Sequence, residues 1–155
     1  MFSSNILYDP VRIQAAAIYC SDGRFGEQCD DFLHHALGLP RYDRLIIPGG
    51  AACLAGHFDV FRQADVIMDH IDFLIRVHGL NRLVLIAHHG CAFYTEELGI
   101  SATRMASRQR EDLATAAARI RTIHKTLTLQ GYHAMTQDDR IAFTPVPLPA
   151  DHPGW

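Results

Sequence analysis

The chain has 155 residues, of which 48% are hydrophobic and 20% are charged. This composition predicts one soluble globular domain over residues 1–155. A formal net charge of −3 gives no electrostatic reason to expect a nucleic-acid partner, and no apolar run reaches the roughly 18 residues that a membrane span requires. Because no secretory signal is visible, we expect a cytoplasmic protein whose thiols stay reduced.

The first third of the chain predicts two strands separated by a helix. Residues 15–19 form an apolar run that ends at Cys20 and reads as a buried strand. Apolar residues then recur at helical spacing over residues 29–37. A short second strand is predicted at residues 44–47, where Pro48-Gly49-Gly50 cuts it off.

The rest of the chain continues the alternation of helix and strand. The longest helix is predicted at residues 59–78, and a third strand, apolar on both faces, at residues 82–87. A further helix is predicted at residues 108–127, and residues 132–135 and 141–146 predict a final strand or a hairpin. The sum is an α/β domain in which helices flank a short, mainly parallel sheet of order 2-1-3-4, with an antiparallel strand at its edge if the hairpin forms.

Two short clusters of potential metal ligands follow the first and third strands. Cys20, Asp22 and Arg24 form the first cluster, and His88 and Cys91 form the second. In a 2-1-3 order both clusters would lie at the carboxyl ends of adjacent strands and face each other across a crevice. Two thiols and an imidazole suit zinc and leave one tetrahedral position to fill. Asp22 is the candidate for that position, and Arg24 competes for its carboxylate.

These clusters resemble the β-class carbonic anhydrases, which carry Cys-x-Asp-x-Arg after the first strand and His-x-x-Cys after the third. Both motifs are complete here. The resemblance implies a β-carbonic anhydrase-like fold, zinc held by Cys20, His88 and Cys91, and catalytic roles for Asp22 and Arg24. In the family, the residue matching Asp22 either ligates the metal in a resting form or pairs with the arginine in an active form. The implied reaction is reversible hydration of carbon dioxide to bicarbonate by a hydroxide on the zinc.

The resemblance covers about residues 15–127 and leaves two alternatives open. The loop Pro48-Gly49-Gly50-Ala51 departs from the Arg-Asn-x-Gly pattern that is usual in the family. This altered loop is the reason to consider carbonyl sulfide or carbon disulfide as the substrate of the same zinc site. A non-catalytic zinc-binding assembly module is the other alternative, and there Asp22 would ligate zinc permanently.

A homodimer or a larger homo-oligomer is expected. The helix predicted at residues 59–78 has two apolar stripes, which favours burial on two sides or a surface shared with a second subunit. The family also builds its active-site cleft at a subunit interface. The remaining cysteines, Cys29 and Cys53, are expected to be buried structural residues.

Overall fold

The computed structural model describes residues 1–57 and 61–149. Its five strands form one sheet in the order β2-β1-β3-β4-β5. They are β1 (Ala15–Cys20), β2 (Asp43–Ile47), β3 (Arg82–His88), β4 (Thr128–Gln137) and β5 (Arg140–Val146). Neighbouring strands are parallel except for β4 and β5, which are antiparallel. The predicted order and the antiparallel edge strand are both confirmed.

Three α-helices accompany the sheet: α1 (Gly26–Asp31), α2 (Phe61–Phe73) and α3 (Ala102–Ile123). Single turns of 3-10 or π geometry lie at Phe32–Ala36, Gly50–Leu54, Leu74–His78 and Phe93–Glu97. Over the described ranges, no helix combines the length and the apolar character needed to cross a membrane.

The central strands are buried because both faces of the sheet are covered. All six residues of β1 are buried, as are the last six of β3. On one face, Ile18 and Leu85 belong to a buried cluster with Ile71 of α2 and with residues of α3. On the other face, Val84 clusters with Leu33 of the segment that follows α1. This two-sided cover explains why both strands read as continuous apolar runs instead of alternating ones.

The predicted bounds of the last helix and strand were wrong. Helix α3 begins at Ala102, six residues before the predicted start, and ends at Ile123. Among residues 102–108 only Met105 is buried, so the first turns carry almost no apolar stripe, and Gln109 and Asp112 then interrupt that stripe on the buried face. Gln130-Gly131, which were predicted to close this helix, instead lie inside β4 and pair with β3.

The predicted helix over residues 59–78 is found from Phe61 onward, whereas residues 59 and 60 lie outside the described residues. It ends at Gly79, whose φ of +72° is the left-handed conformation that glycine adopts easily. Both of its apolar stripes have members buried within this one chain, namely Ala64, Ile67, Met68, Ile71 and Leu74. The two-stripe pattern therefore does not by itself require a second subunit.

Residues 1–14 form an irregular arm ahead of β1. Five large apolar side chains of this arm are almost fully exposed: Met1, Phe2 (92%), Ile6 (85%), Leu7 (92%) and Tyr8 (89%). Apolar surface this concentrated is unusual on a monomer and is typical of a segment that contacts a partner.

Candidate metal centre

The carboxyl ends of β1 and β3 bring Cys20, His88 and Cys91 together. Their potential ligand atoms all lie within 4.8 Å of one another, and all three residues are buried. The strands are adjacent and parallel, with Ile18 opposite Leu85, so their last residues end at the same edge of the sheet. A ligand set from two distant stretches of sequence is thus assembled by strand pairing.

The separation of the two thiols fits a shared zinc ion. The Sγ atoms of Cys20 and Cys91 are 3.7 Å apart, and both cysteines are free. Two Zn–S bonds of about 2.3 Å at a tetrahedral angle place the sulfurs about 3.8 Å apart. A disulfide would require about 2.05 Å. The observed geometry therefore matches two thiolates on one tetrahedral ion.

The imidazole of His88 presents one nitrogen to the same point. Its Nδ1 lies 2.9 Å from the carbonyl oxygen of His89 and so carries the proton that it donates. Its Nε2 is buried and has no hydrogen-bond partner among the described residues. Metal-ligating histidines commonly donate from the other ring nitrogen to a carbonyl, which leaves a lone pair for the ion. The ring of Phe25 packs against this imidazole, with the two ring centroids 4.1 Å apart.

The unusual loop after β2 has a structural explanation. The backbone N–H of Gly49 donates to the Sγ of Cys20 over 3.4 Å. Gly50, at φ +58°, packs so closely that a Cβ there would lie 3.2 Å from the nitrogen of Cys20 and 3.3 Å from the oxygen of Ile86. Only glycine combines this conformation with this approach. The two glycines therefore allow the loop to reach the thiol and to donate a hydrogen bond to it.

Hydrogen bonding divides the two thiols unequally. The contact with Cys91 lowers the pKa of Cys20, as do His88 and the N–H of Gly49, whereas burial raises it. The same contact and burial raise the pKa of Cys91. The geometry thus favours one thiolate shared by the pair, and a divalent cation bound to both sulfurs would hold both deprotonated.

Asp22 is paired with Arg24 and lies outside the group of three ligands. Nη2 of Arg24 donates to Oδ2 of Asp22 over 2.6 Å, and its Nε donates to Oδ1 over 3.0 Å. The backbone N–H of Arg24 donates to the same Oδ1 over 3.1 Å. These hydrogen bonds lower the pKa of Asp22 to about 2. Cys20 and Asp22 are therefore close in sequence, but the carboxylate is held by the guanidinium.

A cavity of about 370 Å³ opens beside Cys20. Its wall is formed by Cys20, Ser21, Asp22, Pro48, Ala92, Phe93, Glu96 and Glu97. Three of these residues are apolar, three carry carboxylates, and none is basic. The cavity therefore suits a small neutral molecule better than an anion.

Sequence reasoning missed a buried carboxylate near the centre. Asp112 of α3 accepts hydrogen bonds from Nε2 of His57 over 2.7 Å and from the hydroxyl of Tyr94 over 2.9 Å. Nε of Arg108 forms an ion pair with it over 3.1 Å. This carboxylate ties α3 to the loop that follows β2 and to the turn that follows Cys91. The signal in the sequence is an acidic residue on the apolar stripe of a helix.

A second polar chain, also missed, supports the end of β3. Nε2 of Gln109 donates to the carbonyl oxygen of His88 over 2.8 Å, and Nε2 of His133 donates to Oε1 of Gln109 over 2.7 Å. His133 is fully buried, and burial lowers its pKa to about 4. Gln109 lies three residues before Asp112 on the same helix face, so its signal in the sequence is likewise a polar residue on an apolar stripe.

A family model described as "Putative carbonic anhydrase" matches residues 12–143. The carbonic anhydrase from Streptococcus mutans aligns over 92% of this chain and 88% of its own, with a TM-score of 0.59 and 16% identity. β-Carbonic anhydrase isoform I from Trichomonas vaginalis aligns over 92% and 87%, with a TM-score of 0.54 and 16% identity. The carbonic anhydrase from Glaciozyma antarctica aligns over 90% and 85%, with a TM-score of 0.56 and 14% identity.

No curated protein matched the chain. The solved structures, at 14–16% identity, show that the chain shares their fold, a β-carbonic anhydrase fold. The family model spans well over half of the sequence, including both ligand clusters. The chain therefore belongs to the carbonic anhydrase family.

Proposed function

We propose that this protein catalyses the reversible hydration of carbon dioxide to bicarbonate with a zinc ion held by Cys20, His88 and Cys91. The observation that carries the proposal is the convergence of two thiols and one unpartnered imidazole nitrogen within 4.8 Å. When bound, zinc supplies a Lewis acid that lowers the pKa of a coordinated water to about 7. Three protein ligands leave the fourth position for that water.

The chain's own groups fix the ligands in place. The carbonyl of His89 orients the imidazole of His88 through Nδ1, and Gln109 holds the carbonyl of His88 in turn. The N–H of Gly49 stabilises negative charge on the sulfur of Cys20. Such partners set the direction of each ligand and tune its basicity, so they are part of the centre.

Asp22 is proposed to position the reacting water. Arg24 engages both carboxylate oxygens and remains protonated at any physiological pH. Because the pKa of Asp22 is lowered to about 2, its carboxylate stays ionised and can only accept hydrogen bonds. Asp22 lines the cavity beside Cys20, where it would accept a hydrogen from the water and direct an oxygen lone pair toward the substrate.

The cavity wall favours a neutral substrate over its charged product. Pro48, Ala92 and Phe93 give apolar surface for carbon dioxide. Glu96 and Glu97 add negative charge, which disfavours retention of bicarbonate. This arrangement is consistent with rapid release of the product after hydration.

Stopped-flow hydration of carbon dioxide, together with zinc analysis, tests the proposal. The zinc-loaded protein should accelerate hydration, and Cys20→Ala should abolish both the acceleration and stoichiometric zinc. The matched control is Cys29→Ala, which removes a buried thiol of a different cluster and should keep both. Asp22→Asn should retain zinc and lose about a hundredfold in rate. A zinc-loaded protein without any acceleration would refute the proposal.

The altered loop supports one second candidate, hydrolysis of carbonyl sulfide or carbon disulfide at the same site. Pro48 forms part of the cavity wall and would shape the space for a larger linear molecule. Release of sulfide on adding either substrate, at a rate above that of carbon dioxide hydration, would favour this candidate. A zinc protein inactive on all three substrates, with four protein ligands that persist above about pH 8, would instead be a non-catalytic module.

A further inference from the structure

We propose that a second cavity, at the opposite end of the sheet, binds an oxyanion of the phosphate class. This cavity has a volume of about 360 Å³. Its wall includes Arg12, Gln14, Ala15, Arg41, Asn81 and Arg82. Ala15 and Arg82 begin the strands whose last residues are Cys20 and His88. At about 3.3 Å per residue, the two sites are roughly 20 Å apart, so this site does not rest on the proposed reaction.

Two of the three arginines in this wall have only neutral partners. Nη1 of Arg12 donates to the carbonyl of Val77 over 2.6 Å. Arg82 donates from Nε to Oε1 of Gln130 over 2.6 Å and from Nη1 to the carbonyl of Leu37 over 3.3 Å. Within the part of the chain that the structure describes, neither guanidinium forms an ion pair.

The third arginine is the one that is already neutralised. Nη2 of Arg41 lies 2.8 Å from the carboxylate of Asp9. No acidic residue is part of the cavity wall. Asp43, two residues beyond Arg41, forms a hydrogen bond through Oδ2 with Nδ1 of His78 over 2.7 Å. Arg12 and Arg82 therefore keep two positive charges that no ion pair among the described residues neutralises.

Unpaired charge in a partly buried setting is costly, and an anion would remove that cost. Arg82 is half-buried, so its charge has lost part of its hydration. Guanidinium groups offer paired N–H donors that match the spacing of oxygens in a phosphate. Nδ2 of Asn81 donates one hydrogen to Oε1 of Gln14 over 3.2 Å, which leaves its second hydrogen and the Nε2 of Gln14 as uncharged donors in the same wall. A doubly charged oxyanion meets both the charge and the hydrogen-bonding capacity of this cavity.

The guanidinium groups are also held in place before any ligand arrives. Two hydrogen bonds fix Arg82, and one fixes Arg12. A side chain that is already ordered loses little conformational entropy when it binds. This preorganisation separates the cavity from a surface on which mobile arginines happen to be neighbours.

Titration calorimetry with inorganic phosphate, with the ionic strength fixed within each titration and raised between titrations, tests the proposal on the full chain. We expect saturable binding at one site per chain that weakens as sodium chloride is added. Arg82→Gln and Arg12→Gln should each weaken binding about tenfold, since each removes a charged hydrogen-bond donor. Arg104→Gln is the matched control, because Arg104 is exposed on α3 and is not part of the wall, and it should bind phosphate as the unmodified chain does.

The outcomes separate clearly. If Arg82→Gln fails to fold, Arg12→Gln decides, because the side chain of Arg12 lies on the exposed arm. A phosphate monoester binding more tightly than inorganic phosphate would identify a phosphorylated metabolite as the ligand and would support the site. Unsaturable binding, equal binding by both arginine variants and the unmodified chain, or a preference for bicarbonate over phosphate would each overturn it.

Discussion

Replacing Asp112 by asparagine is expected to destabilise the protein by about 3 kcal/mol. The carboxylate is 4% exposed and accepts hydrogen bonds from His57 and Tyr94. Oδ2 accepts both bonds, so asparagine can keep them only as bonds to a neutral oxygen, which are about half as strong, and its amide nitrogen then faces Nε of Arg108. A loss of about 1–1.5 kcal/mol from each bond, plus an amide that faces a donor, accounts for about 3 kcal/mol. The ion pair with Arg108 adds little, because that side chain is 42% exposed and screened by solvent.

Denaturant unfolding of matched variants tests this estimate. The control is Asp65→Asn, which removes another aspartate that pairs with an arginine of α3. That pair, with Arg119, has side chains 72% and 33% exposed, so its loss should cost less than about 1 kcal/mol. Urea midpoints and slopes give both free energies of unfolding. If the two variants differ by less than about 1 kcal/mol, the buried carboxylate does not hold α3 as we argue.

Three further predictions follow from other parts of the structure. Gly50→Ala should lower the free energy of unfolding by about 1–2 kcal/mol through the left-handed backbone alone. The close contact of the new Cβ with Cys20 should lower it further, and calorimetry would show both effects as a lower Tm. Burial lowers the pKa of His133 from 6.5 to about 4, so the folded state holds the imidazole neutral. Its contribution to the free energy of unfolding is therefore greatest above pH 6.5 and is lost as the pH falls toward 4. The free energy of unfolding should therefore fall between pH 7 and pH 5 in the unmodified chain, and this fall should be about 2 kcal/mol smaller in His133→Gln, as urea unfolding at both pH values would show. Light scattering should show a homo-oligomer that dissociates when residues 2–8 are removed, whereas a monomer from the full chain would contradict the expectation.

The central strands could be predicted because their environment leaves a strong pattern. Residues 15–20 and 83–87 are apolar on both faces, which is the pattern of a parallel strand covered on both sides. Helix α3 was harder, because Gln109 and Asp112 are polar residues on its buried face. Their partners, His133 and His57, lie 24 and 55 residues away, and no local pattern announces such pairs.

The candidate site divides in the same way. Cys20, His88 and Cys91 could be identified as candidate metal ligands because they lie at or directly after the ends of two predicted strands. The pairing of Asp22 with Arg24 remained open in the sequence, since both a metal and a guanidinium can take a carboxylate, and the structure has the guanidinium there. Gly50 looked like a departure from the family pattern, and its close packing against two strands is a tertiary effect that spacing does not encode.

The two thiols are separated by 71 positions, and only the pairing of β1 with β3 unites them. On the ribosome, a nascent chain that has just exposed its first cysteine offers a solitary sulfur, which holds a divalent ion weakly. The metal binding that we propose would therefore wait until the third strand has emerged and docked, which would make formation of the centre a late step in biosynthesis.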